Sequence, residues 1–124
     1  HLAQRRVGAQ LRAIAALTPG VAADRFSTAL RPIGREALAH RLQSARQRML
    51  EAGATVDRIA LARYANANAD PNAPPLPLDA PRYQAACRKH EAAQADYAAA
   101  WARIQALIDR AKALLGARHS TPER

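Results

Sequence analysis

Residues 83–115 read YQAACRKHEAAQADYAAAWARIQALIDRAKALL, and this stretch decides the fold. Tyr83, Cys87, His90, Gln94, Tyr97, Trp101, Ile104, Ile108, Ala111 and Leu115 follow one another at alternating gaps of four and three. A strand cannot keep that spacing, because its side chains alternate every second residue; a helix with a heptad-like stripe can. The pattern predicts one unbroken helix from about Ala80 to Leu115. Asp79 is placed to cap its first turn, Pro81 is tolerated there, and Gly116 is placed to end it. Residues 117–124, ARHSTPER, then read as a frayed tail. The stripe is polar from Tyr83 to Gln94 and apolar from Tyr97 to Leu115. Leu107 and Leu114 broaden the apolar half beyond a two-stranded seam, as a bundle requires. The expectation is that the C-terminal half packs on the preceding helices. The polar half offers Tyr83, Cys87, His90 and Gln94 as a seam for a partner helix, or for self-association through this long element.

Before that helix lies NANADPNAPPLPLDAP (Asn66 to Pro81), with five of the eight prolines and no periodicity. It reads as an extended or polyproline-like connector, within one domain or hinging two halves. Upstream, the spacing predicts four shorter helices. The first covers residues 2–17, with Val7, Leu11 and Ile14 on one face and Arg5 and Arg12 opposite. Thr18 and Pro19 are placed to start the second, which carries Val21, Phe26 and Leu30 and ends at Pro32. The third runs from about Ile33 to Ala52 with Leu38, Leu42, Ala45, Met49 and Ala52 as its stripe, and Gly53 as its C-cap. Thr55 then caps a short fourth helix with Val56, Ile59 and Tyr64. The fold class is therefore all-α: a helical bundle of four shorter helices packed on one long C-terminal heptad-patterned helix at about 80–115, in a single domain over 1–124.

Composition supports this class. The chain holds 33 alanines and only 27 residues of Val, Ile, Leu, Met, Phe, Tyr or Trp. Alanine favours helix, but it buries little area. A thin core with closely approaching helices follows, and such a core leaves little room for a pocket.

Charge carries the only functional signal. The formal net charge is +9, and 17 of the 19 basic residues are arginine. Residues 1–64 carry 11 basic and 4 acidic side chains, and the first 23 residues contain no acid. A charge of this sign favours nucleic acid, anionic lipid or an acidic protein as partner. Arg35 and Arg46 flank one side of the third helix's stripe; Arg41 and Arg48 flank the other. The bland reading pairs such arginines with Glu91, Asp96 and Asp109 of the long helix. With 10 acids for 19 bases, some arginines must remain unpaired. The functional reading makes Arg5, Arg12, Arg35, Arg41, Arg46, Arg48, Arg58 and Arg63 a surface for phosphates or an acidic partner. The segment from Arg35 to Ala60, two helices around Ala52-Gly53-Ala54, is superficially similar to a helix-turn-helix with Arg58 and Arg63 on its second helix.

Other chemistries lack their signatures. There is no HExxH, no GxSxG, no phosphate-cradling glycine loop and no dinucleotide fingerprint, so no enzyme and no cofactor are expected. Cys87 and His90 share a helical face with Glu91 adjacent, but a stable metal site needs three or four ligands, and none of His1, His40 or His119 is placed by the sequence to complete one. The single cysteine permits no intrachain disulfide. No stretch is long enough to span a membrane. The cytoplasm is the favoured compartment, while a start at His1 leaves room for a removed signal or transit peptide. The alanine- and arginine-rich composition and the Ser-Thr-Pro-Glu-Arg end resemble those of periplasmic metal-resistance proteins. That resemblance assigns no residue. Together with the basic, amphipathic first helix and the start at His1, it leaves an alternative function: a periplasmic or membrane-surface helical sensor or chaperone-like protein, including a metal-responsive one. The leading expectation is a non-enzymatic helical subunit of a nucleoprotein or multiprotein assembly.

Overall fold

The computed structural model describes residues 2–120, with side chains up to Arg118. The described residues form helices and contain no strand. In order they are α1 (Leu2–Ala15), α2 (Ala23–Leu30), a 3-10 turn (Arg31–Ile33), α3 (Glu36–Leu61), a second 3-10 turn (Ala62–Tyr64) and α4 (Ala80–Ser120). They divide into two compact units, His1–Gln43 with Ala99–Arg124, and Ser44–Ala98. The first is called the basic unit below and the second the alanine unit.

The all-α class and the long C-terminal helix stand as the sequence predicts. The Asp79 side chain accepts the Arg82 N–H at 3.2 Å, and its carbonyl accepts the Tyr83 N–H at 2.9 Å, so α4 begins with the expected cap. Four details differ. The expected third and fourth helices are one helix, α3, that passes straight through Gly53, so the short helices number three. There is accordingly no turn at Ala52-Gly53-Ala54 and no helix-turn-helix in that segment. Thr18-Pro19 does not start α2. The Val21 N–H instead bonds the Thr18 carbonyl at 3.1 Å in a turn, and α2 begins after Ala22, which gives it no side-chain cap. Finally, α4 does not stop at Gly116 but continues to Ser120, while Thr121–Arg124 of the expected tail lie outside the described residues.

Helix α2 ends as Pro32 demands, and Gly34 shapes the exit. Gly34 takes φ +71°, its N–H bonds the Arg31 carbonyl at 3.0 Å, and the Arg35 N–H reaches back to the Leu30 carbonyl at 3.0 Å. This is a Schellman closure, and it needs a residue without a Cβ at the left-handed position. The Arg31 guanidinium then donates two hydrogen bonds to Glu36, at 2.8 and 3.1 Å, clipping the turn to the first residue of α3.

The basic unit has a true hydrophobic core. Leu30, Ile104 and Ile108 are its largest fully buried side chains, joined by Ile14, Leu17, Phe26 and Leu42. Phe26 meets Trp101 edge to face, with ring centroids 5.9 Å apart. Here the apolar half of α4 packs as its stripe predicts.

The alanine unit is built differently. Its buried apolar residues are Ala45, Ile59 and Ala93. Between α3 and α4 the contact relies on small side chains: Gly53 leaves a notch in α3, and His90 fills it. The imidazole Nε2 lies 3.2 Å from where a Gly53 Cβ would stand. The polar half of α4 therefore packs inside its own chain. Its seam runs through Tyr83, Ala86, Cys87, His90 and Ala93, with Gln94 turned out to solvent. The connector belongs to this unit. Residues 66–72 are turns rather than extended chain, and Asp70 caps one of them by accepting the Asn72 N–H at 3.0 Å. The stretch after Ala73 is irregular and ties back to the end of α3, where the Leu76 N–H bonds the Arg63 carbonyl at 2.7 Å.

Candidate functional site

The arginines were expected either to pair with carboxylates or to stand free. Among the described residues Arg31 is the only arginine in an ion pair, with Glu36 at 2.8 Å. The Arg31 hydrogen bonds hold the Glu36 carboxyl below its usual range, and Glu36 in turn raises the guanidinium. The acids of α4 that the bland reading assigned to arginines are not so engaged. Asp109 accepts from Gln105 at 2.9 Å, and neither Glu91 nor Asp96 forms an ion pair among the described residues.

The eight expected contact arginines fall into both units. Arg5, Arg12, Arg35 and Arg41 belong to the basic unit; Arg46, Arg48, Arg58 and Arg63 belong to the alanine unit. Seven are exposed. Arg63 is half-buried and occupied: its Nε donates to the Leu76 carbonyl at 3.3 Å, and its guanidinium lies 5.8 Å from the Tyr64 ring centroid. It fastens the connector and is the least available of the eight.

The units differ in charge far more than in size. The basic unit carries 12 basic and 4 acidic residues; the alanine unit carries 7 and 6. Almost the whole excess of +9 therefore sits in one unit. Sequence order hides this, because the two ends of the chain fold into the same unit.

The residues outside the original eight include Arg118. Its Nη2 donates to the Gln4 carbonyl of α1 at 3.0 Å. Sequence reading missed it by placing it in a frayed tail. Only the continuation of α4 past Gly116 brings it to α1.

The Cys87 and His90 face offers little chemistry. Among the described residues no three side chains of His, Cys, Asp or Glu come together as metal ligands. Both residues are half-buried within the alanine unit. The Tyr83 hydroxyl is raised above its usual range, chiefly by hydrogen bonding to the Cys87 sulfur, with the Asp57 charge adding weakly. The alanine unit also has an open cleft of about 500 Å³, with Ala52, Ala86 and Ala93 on its walls and Arg48, Glu51, Lys89 and Asp96 among its charges. Its charges are balanced, and no nucleophile with an adjacent base lines it. No described helix is long and apolar enough to cross a membrane.

No protein-family model matches the chain, and neither a curated protein nor a solved structure matches it. The functional reading therefore rests on the residues alone.

Proposed function

We propose that the protein is a non-enzymatic helical subunit of a nucleoprotein assembly, and that its basic unit contacts nucleic-acid phosphates without reading sequence. The observation that carries this reading is the unpaired charge. Of the 16 arginines described, one is in an ion pair, and the unit with the positive excess holds three basic residues for each acid. Uncompensated guanidiniums on a small domain repel one another and are relieved when phosphates displace their counterions. The basic unit offers no aromatic platform for single strands: of its two aromatics, Phe26 is buried and Trp101 half-buried in the core.

The test is a salt series of binding to a random duplex and to RNA, read by fluorescence anisotropy. We expect log affinity to fall linearly with log salt, with a slope of about −3 to −5, corresponding to roughly four or five phosphates. Absence of binding at low salt would end the nucleic-acid reading.

A second reading, docking to a protein partner, is favoured by one observation. Leu61, the last residue of α3, and Tyr64, in the 3-10 turn that follows, are 65% and 52% exposed and present apolar surface to solvent. The two readings are compatible in an assembly subunit.

A further inference from the structure

We propose that Arg12 and Arg118 form a cradle, floored by Gly8, that grips one phosphate of a nucleic-acid backbone. The inference rests on the nucleic-acid reading above and names the contact point within the basic unit.

Three observations meet at Gly8. It is buried, although it sits in the exposed, arginine-rich α1. What covers it is charge: the Arg12 Nη1 lies 3.2 Å, and the Arg118 Nη2 3.5 Å, from the point where a Gly8 Cβ would stand. Two guanidiniums from opposite ends of the chain thus converge on one small surface. Neither is paired with a carboxylate among the described residues. The first 23 residues supply none, and Asp109, the nearest acid preceding Arg118 on α4, is more than two turns away and bonded to Gln105.

Like charges this close repel, and no carboxylate among the described residues relieves them. A tetrahedral oxyanion would, because each guanidinium presents five N–H donors in a fixed fork that matches phosphate oxygens. Arg118 uses one N–H on the Gln4 carbonyl, which fixes its position and leaves the others available. The Arg12 side chain makes no hydrogen bond or ion pair among the described residues, so its full fork is free. Glycine at the floor lets both groups approach more closely than a methyl-bearing residue would allow. Arg5, seven residues before Arg12 on the same side of α1, continues the basic line along the helix.

The experiment uses the full chain, isotope-labelled, with inorganic pyrophosphate as the probe at constant ionic strength. We expect saturable shifts at the Gly8 amide and at the Arg12 and Arg118 Nε resonances. They should vanish in Arg12→Gln, which removes no bond of the fold, and persist in Arg103→Gln. Shifts that rise linearly and spread evenly over all arginines, or saturation that survives in Arg12→Gln with Arg118→Gln, would overturn the cradle. A second arm measures duplex binding. The double variant should bind about 10-fold more weakly, with a salt slope shallower by about one unit. Unchanged duplex affinity and slope would reject the cradle and leave the broader reading standing. Saturation by pyrophosphate with no duplex binding by the unaltered protein would reject nucleic acid as the source of the phosphate.

Discussion

The two units of this chain use helices to opposite ends. The basic unit buries Leu30, Ile104 and Ile108 completely and sets Phe26 against Trp101, while its surface carries three bases for each acid. The alanine unit buries Ala45, Ile59 and Ala93, has nearly balanced charge, and brings α3 and α4 together through a glycine notch. The difference teaches how one alanine-rich sequence can be stable and still carry a charge excess. Each large aliphatic side chain fully buried contributes roughly 1.5–3 kcal/mol, which offsets self-repulsion in the unit that bears it. The other unit buries one large aliphatic side chain, Ile59, and does not carry the excess.

The sharpest way to break this comparison is a pair of core truncations. Ile104→Ala should cost about 3–5 kcal/mol in denaturant unfolding, because Ile104 is wholly buried. Ile59→Ala, in the shallower alanine unit, should cost about 2 kcal/mol, near the low end of that range. Equal costs would mean that the alanine unit is as well packed as the basic one.

Next in size is the notch. Gly53→Val should destabilise by about 1–3 kcal/mol, since its branched side chain must enter the space of the His90 ring. His90→Ala in the same background should recover part of the loss; no recovery would show that the cost comes from elsewhere.

Binding should then distinguish the surfaces. Arg5→Ala with Arg41→Ala, in the basic unit, should weaken duplex binding by about 5- to 20-fold and reduce the salt slope. Arg46→Ala with Arg58→Ala, in the alanine unit, should change it less than about twofold. The reverse ranking would move the interface to the alanine unit.

Gly8→Ala should raise stability by up to about 1 kcal/mol, because alanine favours the helix and only flexible guanidinium ends must yield. A loss of stability would mean that the Arg12 and Arg118 groups are held rigidly in place.

The smallest effect concerns pH. Glu36 titrates below its usual range because Arg31 stabilises the carboxylate. The contribution of the pair is therefore present above the unfolded-state pKa of a glutamate and is lost as pH falls through the lower folded-state value. Arg31→Ala should move the Glu36 titration, followed by NMR, up toward the ordinary range. An unmoved titration would remove the clip between the 3-10 turn and α3.

Legibility in the sequence differed between elements for physical reasons. Helix α4 was readable because its pattern repeats over many turns and Asp79 supplies a local cap. Helix α3 was misread at Gly53, since a glycine there costs helix stability and looks like a stop. The close seat it gives His90 offsets that cost, and His90 lies 37 residues away in the sequence. Gln94 was placed on the seam by its spacing, yet the smaller Ala93 faces inward, because close helix approach selects the small neighbour. The unpaired arginines were legible as a surplus from the count of charges, but their assignment to one unit was not.

By itself the sequence determined the helical class, the capped start of the longest helix, and the sign of the chain's own net charge. Periodicity, capping and net charge are local or additive properties, and they survive without knowledge of the fold. Only tertiary structure decided that Gly53 is a notch, that the chain's two ends gather most of the positive charge, and that Arg118 meets Arg12 over Gly8. Those outcomes depend on which distant residues come into contact, and spacing along the chain does not encode that.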